Sequence, residues 1–156
     1  MIVPGGGTFA DGVRAAQTQH NLSEAAAHHM ALLAMQQCAV MLADFASGFV
    51  LADAPAQFEA AWSSGLTPIW LPASMVLSAN EVACSWEVTS DSLAAWLADR
   101  IGAARLLLVK ACALPVVRDA PALATAGVVD ASFPAYVKGR RFSWEVLSED
   151  AALAAL

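Results

Sequence analysis

Three consecutive glycines, Gly5, Gly6 and Gly7, stand between Pro4 and Thr8, directly after Ile2 and Val3. Glycine lets backbone N–H groups come close to a ligand, and the free N–H groups of a helix start attract anions, phosphate above all. The spacing matches neither a Walker A loop nor the G-x-G-x-x-G dinucleotide fingerprint, so by itself the segment is either an anion site or a tight turn. Arg14, two turns into the helix that follows, would add a charge facing this loop; the plain alternative is a solvated helical arginine. Asp91 lies in TSDSLAA at the head of a later helix, where the helix dipole favours a carboxylate. Lys110 closes the run LLLVK and reads as a strand-end lysine. His28, taken by itself, reads as a histidine packed against Leu32 and hydrogen-bonded locally.

The elements that must carry these residues follow from capping and periodicity. Thr8 and Asp11 have the spacing of a capping box, which predicts a helix from about Phe9 to Thr18. Ser23 caps a longer helix in which Ala27, Met30, Ala31, Ala34, Cys38 and Met41 recur at helical spacing, ending before Gly48. Pro55 at a first helical position predicts a short helix to Trp62. Thr67 to Leu71 reads as a strand, and Val82 to Val88 as a weaker strand or loop. Leu93, Trp96, Leu97 and Ile101 give the buried stripe of a helix that Thr89 to Ser92 cap and Gly102 ends. The apolar run Leu106 to Val109 predicts a central parallel strand covered on both faces. A helix within Asp119 to Ala126, a short Val128-Val129 segment, a turn-rich DASFP, a strand from Phe142 to Leu147 and a helix from Ser148 complete the chain. Strands alternating with helices predict a three-layer α/β/α sandwich with a mainly parallel sheet, as a single domain over residues 1–156.

Composition narrows the function classes. The chain of 156 residues is 58% hydrophobic and only 14% charged, which implies a folded chain with apolar surface to spare for a partner. A net charge of −6 supplies no basic stripe for a phosphate backbone, so nucleic acid is not an expected partner. Charged residues interrupt every apolar run short of a bilayer span, so no membrane partner is expected. Cys38, Cys84 and Cys112 are too scattered for a disulfide framework or a zinc site, and reduced, buried thiols in a cytoplasmic protein are expected. No metal site is assigned. The five tryptophans lack the spacing of a stacking platform and read as core or interface residues.

The segments VPGGGTFADGVRAAQ, AAHHMALLAMQQ and WEVTSDSLAAWLADRIGAARLLLVK, in this order, resemble the amino acid kinase superfamily, which includes uridylate and acetylglutamate kinases. PGGGTFAD, HHMALLAM, TSDSLAAWLA and GVVDASFP together look closest to the branch that phosphorylates an (aminomethyl)furanmethyl phosphate in cofactor synthesis. The resemblance implies that Gly5, Gly6, Gly7 and Thr8 bind the acceptor or the moving phosphoryl group, with Arg14 behind them. It also implies that Asp91 orients lysines around the phosphates and that Lys110 lies beside those of the nucleotide. His28 falls where uridylate kinases carry a substrate-contacting acid. Asp130 could reach the nucleotide, yet it is better placed to cap the turn before Phe133-Pro134. ATP and Mg2+ are the implied cofactors and a small, already phosphorylated molecule the implied acceptor.

One departure shapes the remaining expectations. The family begins with a strand, a lysine and a Gly-Gly-Ser loop that clamp the donor phosphates, and no such segment precedes Gly5 here. Phosphoryl transfer depends on positioning and charge neutralisation, so the chain by itself is expected not to phosphorylate its acceptor. A sheet lacking that strand would present unpaired edges, which leads to an expected homo-oligomer. A non-catalytic phosphate-binding or subunit protein with the same fold is the competing reading, as is an ordinary α/β domain whose glycines only turn.

Overall fold

A computed structural model describes residues 1–154. The chain divides into two compact units, Met1–Ser85 and the remainder from Trp86. No helix of the described residues is long and apolar enough to cross a membrane.

In the first unit, α1 (Gly7–His20) and α2 (Glu24–Phe45) form a helical hairpin, followed by β1 (Phe49–Ala52), α3 (Pro55–Ser63), β2 (Thr67–Trp70) and α4 (Ala73–Leu77). Asn21 ends α1 at φ 50°, the left-handed conformation that asparagine tolerates, and the chain reverses within three residues. Ser23 then starts α2, its Oγ accepting from the Ala26 N–H at 3.2 Å. β1 and β2 pair in parallel from Phe49↔Thr67 to Ala52↔Trp70. On the other side of β2, Ile2 bridges Ile69 in parallel: its N–H donates to the Pro68 carbonyl, and its carbonyl accepts from the Trp70 N–H, both at 2.9 Å. The segment leading into the glycines therefore meets β2 through the single bridge at Ile2. Leu32, Phe58, Ile69 and Trp70 are fully buried, which makes this a core of helix packed on strand. The stripe expected along α2 is only partly buried: Ala27, Ala34 and Cys38 are, whereas Met41 is 44% exposed.

In the second unit, α5 (Ser90–Arg100) precedes β3 (Arg105–Lys110), and α6 (Ala120–Thr125), α7 (Phe133–Val137), β4 (Ser143–Ser148) and α8 (Glu149–Ala154) follow. β3 and β4 are parallel, with Lys110 opposite Ser148. Parallel neighbours need a crossover, and α6 and α7 supply it. Asp119 caps α6 through a 2.8 Å bond from the Ala122 N–H. Every residue from Asp91 to Ala98 of α5 is buried, and Phe133 meets Trp144 edge to face, with ring centroids 5.3 Å apart.

The architecture is thus mixed α/β, with every strand pairing parallel, in two-stranded sheets. Several local expectations need correction. The run Leu106 to Val109 is not covered on both faces: Leu108 is buried, but Leu107 and Val109 are 44% and 54% exposed. Among the described residues β3 has β4 as its sole strand neighbour, and such a strand alternates instead of being buried throughout. Val82 to Val88 takes the loop alternative expected for it, and Val128-Val129 lies in a bend. Of the three free cysteines, Cys38 is buried while Cys84 and Cys112 are exposed. Trp70 and Trp96 belong to the core, and Trp62 is 38% exposed.

Candidate functional site

The chemistry of the second unit gathers where β3 ends and α5 begins. β3 delivers Lys110 at its last position, and the first turn of α5 presents Asp91. Lys110 Nζ donates to both carboxylate oxygens of Asp91, at 2.7 Å each. The Asp130 backbone N–H gives the carboxylate a third donor, 3.2 Å from Oδ2. The side chains are 21% exposed at Lys110 and 10% at Asp91, so the ion pair is largely removed from water. Burial pushes the Asp91 carboxyl above its ordinary pKa, and the neighbouring Asp130 carboxylate acts the same way; Lys110 opposes both.

Asp130 organises the turn behind this pair. Its Oδ2 accepts from the Thr89 N–H, the Thr89 hydroxyl and the Ser92 N–H, each at 2.9 Å. Its Oδ1 accepts from the Ser92 hydroxyl in a short bond and from the Phe133 N–H at 2.9 Å. One carboxylate thus caps the first turns of both α5 and α7. The cap on Phe133 is the role the sequence suggests for Asp130. The cap on α5 is not visible there, because the donors lie 38 and 41 residues away. The dense cluster of hydroxyls in Thr89-Ser90-Asp91-Ser92 is the sequence signal that this helix start needs an acceptor.

The glycines of the first unit sit between the Ile2 bridge and α1. The expected capping box does not form. Helix α1 begins at Gly7, so Thr8 lies inside the first turn, and Gly6 takes the cap position and accepts the Ala10 N–H at 3.0 Å. Asp11 pairs instead with Arg14 at 3.0 Å on an exposed surface, both side chains at least half exposed. Gly6 and Gly7 have structural demands of their own. A Cβ on Gly6 would lie 2.5 Å from that of Ala10, and Gly7 adopts φ +50°. Gly5, Gly7 and Thr8 are exposed.

His28 is buried in α2, and burial, helped by His29, lowers its pKa. It is not beside the glycines. The position of a Cβ on Gly7 is 3.4 Å from Cys38 Sγ, and ten residues of helix, about 15 Å, separate Cys38 from His28. The structure therefore joins Asp91 with Lys110 and separates His28 from the glycine loop.

No family model matches this sequence. It is similar to the (5-(aminomethyl)furan-3-yl)methyl phosphate kinase of Methanocaldococcus jannaschii, at 31% identity over 98 residues. The match takes in 62% of this chain and 44% of that enzyme, so the chain spans less than half of the relative's length.

Proposed function

We propose that this chain is a small-molecule kinase of the amino acid kinase superfamily, with its three-layer α/β/α fold, acting on a small phosphorylated acceptor in cofactor biosynthesis. The observation that carries this reading is the bidentate contact of Lys110 with Asp91 at the end of β3, in a chain similar to a phosphate kinase. An ammonium has three N–H donors; two go to Asp91, leaving one for an incoming phosphate oxygen. Asp91 in this role fixes where Lys110 points, so that the positive charge is in place before phosphate arrives.

When bound, MgATP supplies the phosphoryl group together with an ion that neutralises charge between phosphates. Among the described residues no three His, Cys, Asp or Glu side chains are grouped to hold a metal ion. Mg2+ carried on the phosphate oxygens suits an ion that dehydrates reluctantly. The glycine segment of the first unit is, taken by itself, a further proposed phosphate contact, supported by its place between the Ile2 bridge and the start of a 14-residue helix.

The expected homo-oligomer is supported by the outer face of α2. Leu33, Val40, Met41 and Phe45 are all exposed there, and the first three line an open groove of about 580 Å3 together with Phe9 and Leu71.

The test is ligand-dependent melting followed by product analysis. MgATP and (5-(aminomethyl)furan-3-yl)methyl phosphate should each raise the melting temperature in a saturable way. ADP formation that needs both ligands and falls about 100-fold in Asp91→Asn protein would mark a kinase and overturn the expectation from the sequence that this chain by itself does not phosphorylate its acceptor. Binding of both without ADP formation would make the chain a phosphate-ligand-binding protein instead. A melting temperature unmoved by either ligand would overturn both readings.

A further inference from the structure

We propose that Asp130 is a positioning residue for the Asp91–Lys110 pair: it locks the starts of α5 and α7 together and so sets where the Lys110 ammonium stands. As a statement about phosphate handling this rests on the kinase reading above; as a statement about geometry it does not.

Three features support it. A helix cap commonly satisfies one or two N–H groups of one helix. Asp130 accepts five hydrogen bonds, from Thr89 and Ser92 of one helix start and from Phe133 of another. The donors on α5 flank Asp91 in sequence, on the residues two before and one after it, so the peptide carrying Asp91 is held on both sides. The backbone N–H of Asp130 itself then binds Asp91 Oδ2. The residue grips the turn that bears the acid and touches the acid directly. Lys110 depends on this arrangement because Asp91 supplies both of its hydrogen-bond acceptors.

Charge adds a second, separate effect. Lys110 from β3 and Asp130 from the segment before α7 are the charged groups facing Asp91. The Asp130 carboxylate disfavours the charged form of Asp91, which Lys110 opposes. Asp130 thereby fixes the position of the pair and also sets the charge that Asp91 feels.

The experiment is carbon-detected NMR of the full chain, following the Asp91 carboxyl and the Lys110 ε-carbon through a pH titration. The variants are Asp130→Asn, Ser92→Ala, Thr89→Val and, as a control, Asp119→Ala, which removes the cap of α6 in the same unit. Asp130→Asn removes the neighbouring charge and should lower the Asp91 midpoint and move the Lys110 signal. Ser92→Ala and Thr89→Val each delete one hydroxyl donor and should move the Lys110 signal less. Asp119→Ala should lower the melting temperature and leave both signals at their wild-type positions. If Asp130→Asn fails to fold, the two hydroxyl variants decide the matter. Lys110 and Asp91 signals that stay put in every folded variant, or that move equally in Asp119→Ala, would reduce Asp130 to a helix cap. Calorimetric titration with MgATP runs beside this: no binding by wild type would reject the kinase reading alone, since the NMR result needs no nucleotide.

Discussion

Lys110 Nζ stands 2.7 Å from each carboxylate oxygen of Asp91, joining the last residue of a strand to the first turn of the helix before it. Nineteen residues separate the two in sequence, and the pair is largely shielded from water. Its environment makes it sensitive to both mutation and pH.

Lys110→Met should leave the buried Asp91 carboxylate without its counter-charge, at a cost of about 3 kcal/mol at neutral pH. Burial already raises the Asp91 pKa in the folded state, and losing Lys110 raises it further. Such a group binds its proton more tightly folded than unfolded, so its cost is present above the folded pKa and disappears as pH falls towards the ordinary value of 3.8. Urea denaturation at a series of pH values between neutral and about 4 checks this. A stability difference between wild type and variant that stays constant across that range would contradict it.

His28 has the opposite dependence. Burial lowers its pKa, so the unfolded chain takes up a proton first, and stability is lost as pH falls below the ordinary 6.5. His28→Leu should remove that slope. The comparison is the pH dependence of the urea midpoint in the two proteins, and parallel curves below pH 6.5 would show that His28 is not the group responsible.

The glycine segment can be tested without a ligand. Gly6→Ala places a Cβ against Ala10, and the overlap should destabilise the protein by about 1–3 kcal/mol. Adding Ala10→Gly should recover a large part of the loss, apart from the cost of about 1 kcal/mol of a glycine inside a helix. Thermal melts of the single and double variants give the answer. Failure of the second change to recover any stability would place the constraint elsewhere.

These points also show what was legible in the sequence. Ser23, Pro55, Gly102 and Asp119 mark helix boundaries through short-range rules, and the helices begin or end within a residue or two of where those residues place them. Thr8 and Asp11 misled because the same spacing also occurs inside a helix, and the backbone of Gly6 provides the actual start. The run Leu106 to Val109 read as a fully covered strand because periodicity reports apolar content, while coverage depends on how many neighbours a strand has. Within the site, Asp91 and Lys110 were each visible as an acid at a helix start and a lysine at a strand end. Their contact, and the grip of Asp130 on α5, needed the fold.

Self-association is checked by light scattering at micromolar concentration. Wild type should scatter as an oligomer, and Val40→Asp, which puts a charge in the middle of the apolar face of α2, should shift the mass towards the monomer. A monomeric wild type would remove the support that the exposed face gives to the homo-oligomer.

The central claim is that the Lys110 ammonium, held by Asp91, receives phosphate, and calorimetric titration of MgATP into wild type and Lys110→Met protein tests it most directly. Loss of one charge-assisted hydrogen bond, about 1.5–3 kcal/mol, should weaken binding by about 10-fold to 100-fold in a variant whose circular dichroism is unchanged. Equal affinity in the two proteins, or no saturable binding by wild type, would contradict it.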